Sequence, residues 1–127
     1  MAPTVLVADD DPDIRLVLRQ VLRDEGFEVR EARDGLETLE QIAEEEPDLL
    51  LLDLMMPLIS GWDVLKTLRS SRSRRDVPIV VLSALPAPGA ADYIQKPVSY
   101  ERLVQILDVV RARVGKKPSP TPAADES

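Results

Sequence analysis

The chain contains no cysteine and no histidine. Without cysteine it can form neither a disulfide framework nor a zinc–thiolate site, and cysteine catalysis is excluded as well. Without histidine it can be neither a histidine kinase nor a histidine phosphocarrier, because both react through an imidazole. Any chemistry must therefore use other side chains.

Long apolar runs are also lacking, since the uninterrupted ones fall far short of the roughly 20 residues that span a bilayer. The first residues lead straight into a predicted strand, without the basic segment typical of a secretion signal. The net charge of -7 repels nucleic-acid phosphates and argues against DNA binding through a general basic surface. We therefore expect a cytoplasmic protein without membrane or nucleic-acid contacts.

Short apolar runs alternate with helical periodicity along the 127 residues. The patterns predict strands near 4–8, 27–31, 48–52, 78–82 and 92–95, and helices near 12–25, 35–46, 61–71 and 99–114. Such alternation predicts a doubly wound α/β domain with a parallel sheet over residues 1–114. Residues 115–127 are polar and proline-rich, and we expect them to form a disordered tail.

The composition of the strands predicts their order in the sheet. The runs at 5–8, 49–52 and 79–82 are wholly apolar and belong in its middle, whereas the second and fifth strands are mixed and belong at its edges. This gives the order 2-1-3-4-5, in which the direction of strand addition reverses between strands one and three. Ligands of open α/β sheets bind at such a reversal, beyond the carboxyl ends of the strands.

Acidic residues follow both strands that flank this reversal. Asp9, Asp10 and Asp11 come after the first strand, and Asp53 comes after the third. Carboxylates that are packed together repel one another, so a cluster favours a bound cation, and Mg²⁺ suits oxygen ligands. Taken alone, the acidic run is better explained as a solvated helix start, where negative charge favours the helix dipole.

Further residues at the strand ends make the chain resemble the receiver domain of two-component response regulators, over about residues 4–114. They are Asp9-Asp10 after strand one, Asp53 after strand three, Met55-Met56-Pro57 and Gly61 beyond it, Ser83-Ala84 after strand four and Lys96-Pro97 after strand five. Single motifs of this kind are weak, but together they carry the expected groups in the expected order. The resemblance implies the flavodoxin-like receiver fold with five parallel strands.

The resemblance also implies how the acidic residues act. Asp53 would accept a phosphoryl group from a histidine kinase, a histidine phosphotransfer protein or a small phosphodonor. The reaction would require Mg²⁺, with Mn²⁺ as an alternative ion. Asp10, Asp53 and the backbone carbonyl of Met55 would be the direct metal ligands, and Asp9 would act mainly through water.

Three other residues have roles implied by the resemblance. Lys96 would pair with a phosphoryl oxygen as a compact charge, and Ser83 would hydrogen-bond another. Ser83 and Tyr93 would be the switch residues, which move when the protein is phosphorylated. Each has an ordinary structural alternative: a surface lysine, a turn-forming serine and a half-buried tyrosine on an edge strand.

One segment departs from the family pattern. Only residues 83–91 lie between the fourth and fifth predicted strands, whereas a helical crossover needs at least about 10–12 residues. Pro86, Pro88 and Gly89 would also break a helix there. We therefore expect the helix between strands four and five to be missing or reduced to a loop, which alters the face that receivers generally use for dimers and partners.

These observations predict a stand-alone receiver that catalyses only its own phosphorylation and dephosphorylation. It would signal through contacts with a downstream protein, as a monomer or an atypical dimer. One alternative is a degenerate receiver that binds a partner constitutively, which the short 83–91 segment favours and the intact acidic set opposes. The other is a metal-dependent phosphohydrolase, which is disfavoured because Met55 stands where a second carboxylate would be needed.

Overall fold

The computed structural model describes residues 2–70, 77–83, 93–96 and 98–116. The strands in these ranges are β1 (Thr4–Ala8), β2 (Glu28–Ala32), β3 (Leu49–Asp53), β4 (Ile79–Ser83) and β5 (Tyr93–Gln95). The helices are α1 (Pro12–Asp24), α2 (Gly35–Glu44), α3 (Gly61–Ser70) and α4 (Tyr100–Lys116). None of the helices in the described ranges combines the length and apolarity needed to cross a membrane.

The five strands form one parallel sheet in the order β2-β1-β3-β4-β5, which confirms the predicted fold class and strand order. β1 and β3 are neighbours, with Ala8 opposite Leu52 in the register. The direction in which the chain adds successive strands to the sheet reverses between β1 and β3. The residues that follow Ala8 and Leu52 therefore meet beyond the carboxyl ends of two adjacent parallel strands.

The core has two layers, one on each face of the sheet, because successive strand residues point to opposite faces. Val5, Val7, Leu49, Leu51, Val80 and Leu82 pack against α1 and α4, together with Leu18, Leu22, Leu103 and Leu107. Leu6, Leu50, Leu52, Ile79 and Val81 pack against α2 and α3, together with Ile42, Val64 and Leu68. Burial of each large side chain contributes about 1.5–3 kcal/mol, so the three central strands form a rigid platform for the residues at their ends.

Local sequence signals set where α1 begins and ends. The Asp11 carboxylate accepts a hydrogen bond from the Asp13 backbone N–H at 2.9 Å, and Pro12 occupies the first helical position. Past its end, Gly26 has a φ of 90°, a left-handed conformation that glycine adopts without strain. The start of α1 therefore lies directly after Asp9 and Asp10.

The fifth strand is short and pairs only with the end of β4, from Tyr93 opposite Val81 to Gln95 opposite Ser83. The connection between β4 and β5, residues 84–92, lies outside the described residues, so the missing helix stays a prediction. The helix α4 extends to Lys116, two residues into the segment predicted as a tail. The remainder of that tail, residues 117–127, also lies outside the described residues.

A surface groove of about 300 Å³, here called the edge groove, runs along α4 beside the starts of β3 and β4. Arg69 from α3 and Arg102 and Arg113 from α4 border it. Much of its lining is apolar and includes Ile79, Val80, Ile106 and Val109. The lining of the edge groove thus combines three cationic side chains with apolar ones.

Candidate functional site: an acidic cluster at the strand ends

Three carboxylates meet beyond the carboxyl ends of β1 and β3. Asp53 is the last residue of β3, and Asp9 and Asp10 follow β1. One carboxylate oxygen of each residue lies within 4.8 Å of those of the other two, which is close enough for the three to hold one metal ion. Asp9 and Asp53 are buried, whereas Asp10 is exposed, so the cluster opens to solvent on the Asp10 side.

Asp9 is fully buried, and hydrogen bonds engage both of its carboxylate oxygens. Oδ1 accepts from the Asp11 backbone N–H at 2.9 Å, and Oδ2 accepts from Lys96 Nζ at 3.0 Å. Its backbone N–H donates to the Ala32 carbonyl of β2 at 3.1 Å. Asp9 therefore links β1, β2 and the segment after β5.

Lys96 brings a positive charge into the cluster. It follows β5, and its backbone N–H donates to the Ser83 carbonyl at 2.7 Å. Its ammonium lies 3.0 Å from an Asp9 oxygen and 3.5 Å from Asp53 Oδ1. Burial alone would lower the pKa of Lys96, but the hydrogen bond to Asp9 and the charges of Asp9 and Asp53 outweigh it and raise that pKa.

Asp53 is held in an environment that resists ionisation. Burial raises its pKa to about 6, and the negative charges of Asp9 and Asp10 act in the same direction. The Met55 backbone N–H, which donates to Asp53 Oδ1 at 3.1 Å, and the charge of Lys96 oppose the increase. The carboxylate is thus crowded by like charges and only partly neutralised by the single ammonium.

The other predicted site residues lie at or near this cluster. Ser83 is the buried last residue of β4, next in sequence to Leu82, which stands opposite Asp53 in the register. The Met55 side chain is 75% exposed at the rim. Tyr93 is the first residue of β5, but only its backbone is described, and its side chain lies outside the described part of the chain.

Gly61 allows the start of α3 to lie directly against the end of β3. A Cβ at this position would overlap the Asp53 carbonyl oxygen and would lie 2.6 Å from the Leu54 Cα. The Gly61 backbone N–H donates to the Leu54 carbonyl at 3.1 Å. Any larger residue would therefore push α3 and the backbone of Asp53 apart.

Arg15, on the first turn of α1, was not among the predicted site residues, yet it contacts Asp9. Its Nη1 donates to the Asp9 backbone carbonyl at 2.6 Å, and its Nε donates to Glu31 of β2 at 3.1 Å. Glu31 also accepts from Arg19 at 2.7 Å. The sequence spacing places Arg15 on the same helix as the acidic turn, but only the folded structure reveals that it reaches back to Asp9.

A pocket of about 340 Å³, here called the α1 pocket, opens beside the cluster. Its lining is mainly apolar, with Asp13 and Lys96 as its charged members: Asp13, Ile14, Val17, Leu18, Lys96 and Val98. Val17 is 59% exposed. Lys96 belongs to both the pocket and the acidic cluster, so the two adjoin at this residue.

Comparison with known proteins gives matches to relatives and to solved structures. The chain is 42% identical over 113 residues to the response regulator MprA of Mycobacterium ulcerans and 40% identical to MprA of Mycobacterium tuberculosis, in each case over 82% of this chain and 48% of the relative. The chain thus spans about half of the length of these relatives.

Among solved structures, a putative response regulator from Chloroflexus aurantiacus superposes with a TM-score of 0.82 at 34% identity, covering 89% of this chain and 100% of that one. The signal receiver domain of a signal transduction histidine kinase from Syntrophus aciditrophicus gives a TM-score of 0.83 at 26% identity, covering 96% and 99%. The family model of the response regulator receiver domain matches residues 5–108. With most of its length matched in this way and its acidic cluster at the strand ends, the chain belongs to the response regulator receiver domains.

Proposed function

We propose that this receiver accepts a phosphoryl group on Asp53 in an Mg²⁺-dependent reaction and signals through protein contacts. The observation that supports this most strongly is the position of one ammonium among carboxylates: Lys96 Nζ lies 3.0 Å from Asp9 and 3.5 Å from Asp53. Phosphoryl transfer to a carboxylate needs cations that offset the negative charge on the transferring oxygens. Lys96 supplies one such charge in a partly buried site.

The donor set fits Mg²⁺, with Mn²⁺ as the alternative ion. Asp10 and Asp53 provide hard oxygen ligands, and the backbone carbonyl of Met55 is the proposed third. Both Asp9 oxygens already accept hydrogen bonds, which favours an action through water for that residue. When bound, the ion would neutralise charge on the phosphoryl oxygens, and it would also relieve the carboxylate repulsion that helps to raise the pKa of Asp53.

In the transfer step, an oxygen of Asp53 forms the new bond to phosphorus while the bond from phosphorus to the donor atom breaks. The donor atom keeps the electron pair; in a phosphohistidine donor it is a ring nitrogen. Asp53 must be ionised to attack, and a pKa of about 6 leaves most of it ionised at neutral pH. Lys96 would then pair with one phosphoryl oxygen, and the Ser83 hydroxyl would donate to another.

The proposed protein donor is a histidine kinase or a histidine phosphotransfer protein that docks on the α1 pocket. The pocket is mainly apolar, exposes Val17 and includes Lys96, whose ammonium lies 3.5 Å from Asp53, so a helix of the donor packed there would lie beside the proposed acceptor. Phosphorylation would shift Ser83 and Tyr93 between two arrangements, and a downstream protein would bind one of them.

The proposal is tested by the intact mass of the protein after incubation with acetyl phosphate and Mg²⁺. We expect a single phosphoryl adduct that disappears on chelation of Mg²⁺ and in Asp53→Asn. Asp24→Asn, which removes an exposed carboxylate at the far end of α1, is the control and should keep the adduct. An adduct that persists in Asp53→Asn would contradict the assignment of the acceptor.

The same experiment separates the two alternatives. A protein that binds Mg²⁺ but forms no adduct with acetyl phosphate or with a kinase would be a scaffold that has kept the site without the switch. Sustained turnover of a generic phosphate ester such as p-nitrophenyl phosphate would indicate a phosphohydrolase. A receiver hydrolyses only the phosphoryl group carried by its own Asp53, so it should not turn over an ester that does not phosphorylate that residue.

A further inference from the structure

We propose that Arg15 is a positioning residue that holds the turn carrying the metal-binding carboxylates. This inference rests on the proposed function, because it concerns how the Mg²⁺ ligands are held. Its side chain is 13% exposed and donates to two partners at once, the Asp9 carbonyl at 2.6 Å and Glu31 at 3.1 Å. A guanidinium can do this because its donors are arranged in a rigid, planar fork.

The contact to the Asp9 carbonyl acts on Asp10. This carbonyl belongs to the peptide bond that joins Asp9 to Asp10, and that bond is planar. Holding its oxygen in place therefore fixes the orientation of the peptide plane and the start of the Asp10 backbone. Asp10 is exposed, so buried packing does not restrain its side chain, and its direction depends on the backbone that carries it.

Hydrogen bonds restrain the backbone of Asp9 on two sides. Its N–H donates to the Ala32 carbonyl of β2 at 3.1 Å, and its carbonyl accepts from Arg15. Glu31, next to Ala32 on the same strand, forms an ion pair with Arg15. Its other carboxylate oxygen lies 2.7 Å from Nη1 of Arg19. Arg15 thus couples the acidic turn to β2, as groups behind metal ligands commonly do to orient them.

Arg19 provides a matched control. It lies one turn further along α1 and forms an ion pair with the same Glu31, but its contact in the described part of the chain does not include Asp9. Replacing either arginine with alanine removes one positive charge and one contact to β2. Only Arg15→Ala also releases the Asp9 carbonyl.

The test measures Mg²⁺ affinity by calorimetry, without phosphodonor, in the full chain and in Arg15→Ala, Arg15→Lys and Arg19→Ala. We expect Arg15→Ala to raise the Kd about tenfold, as loss of an outer-shell partner typically does. Arg19→Ala should change the Kd less than twofold. This difference in Kd should hold even if the two alanine variants lose equal stability, measured as the midpoint of unfolding in urea. Arg15→Lys guards against misfolding, and it should give an intermediate Kd because one ammonium cannot reproduce both hydrogen bonds.

A second readout in metal-free protein is the hydrogen exchange of the Asp11 amide, which donates to Asp9 Oδ1. We expect faster exchange in Arg15→Ala than in Arg19→Ala at matched global stability. Equal Kd values and equal exchange in the two alanine variants would overturn the inference. Absence of Mg²⁺ binding in the wild type would contradict the proposed function instead, and the exchange comparison would still decide whether Arg15 holds the turn.

Discussion

The α1 pocket and the edge groove are similar in volume, about 340 and 300 Å³, but they differ in chemistry. The α1 pocket is mainly apolar and includes Lys96, which also belongs to the acidic cluster. The edge groove is bordered by three arginines, and its lining in the described residues includes no member of that cluster. Volume alone therefore does not distinguish the two surfaces, whereas a lining residue that also contacts the acidic cluster does.

Replacing Lys96 should have the largest effect, because this residue both lines the α1 pocket and belongs to the acidic cluster. We expect Lys96→Met to slow phosphorylation by acetyl phosphate on the order of 100-fold, since a partly buried cation that offsets developing charge is lost. The rate is measured by intact mass over time. Lys66→Met, on the exposed face of α3, is the control, and an equal rate in both variants would contradict the role of Lys96.

The acidic cluster beside the α1 pocket also differs from the edge groove because its buried carboxylates crowd one another. The variant Asp53→Asn tests the effect of this crowding. Folding raises the pKa of Asp53 from 3.8 to about 6, so the protonated form is favoured in the folded state. This group's stabilising contribution is present below about pH 4 and is lost as the pH rises through about 6. In metal-free protein at pH 7, Asp53→Asn should therefore increase the free energy of unfolding by about 3 kcal/mol.

Urea unfolding in the presence of a chelator measures this gain, which should shrink as the pH falls from 6 to 4 and vanish near pH 3, because Asp53 is then protonated in both states. Added Mg²⁺ should stabilise the wild type and narrow the difference, since only the wild type offers this carboxylate as a ligand. Arg113→Gln in the edge groove is the comparison variant and should change stability by less than about 0.5 kcal/mol, because Arg113 is exposed. A gain in Asp53→Asn that does not depend on pH would contradict the explanation.

Two exposed valines sharpen the comparison between the surfaces. Val17 lines the α1 pocket and is 59% exposed, and Val109 lines the edge groove and is 61% exposed. We expect Val17→Asp to slow transfer from a phosphorylated protein donor about tenfold, a loss typical of one contact residue in an interface. Val109→Asp should leave that rate unchanged.

Phosphorylation by acetyl phosphate should be the same in both valine variants, because a small donor needs no docking surface. Radioactive or mass-based transfer assays with any kinase or phosphotransfer domain active on the wild type measure the difference. If Val109→Asp is impaired and Val17→Asp is not, the donor docks on the edge groove, and the proposed assignment of the two surfaces is wrong.

The fold and the position of the cluster could be predicted because they depend on strongly constrained patterns. Short, wholly apolar runs such as Leu49–Leu52, alternating with helical segments, favour strands buried on both faces of a parallel sheet, and parallel neighbours bring their carboxyl ends together. Asp9, Asp10 and Asp53 therefore had to meet once the strand order was known. The helix starts were also marked locally, by Asp11 and Pro12 for α1.

Other parts of the site depend on side-chain conformations that no short pattern encodes. Arg15 contacts the Asp9 carbonyl and Glu31 of β2 at the same time, and the pairing of β1 with β2 is what brings Glu31 close to Asp9. The hydrogen bond from Lys96 to Asp9 likewise arises from tertiary packing. The bonds from the Asp11 N–H to Asp9 and from the Met55 N–H to Asp53 are instead local, each joining residues two positions apart. The roles of Ser83 and Tyr93 stay predictions.

The close approach of Gly61 to Asp53 has a practical consequence. Because α3 begins against the backbone of Asp53 without an intervening side chain, a shift of that backbone must displace the first residues of α3. The next residue, Trp62, is the only tryptophan of the chain and is 46% exposed. The chain therefore carries an intrinsic fluorophore one residue from this contact, and we expect its emission to report on events at Asp53 without any attached label.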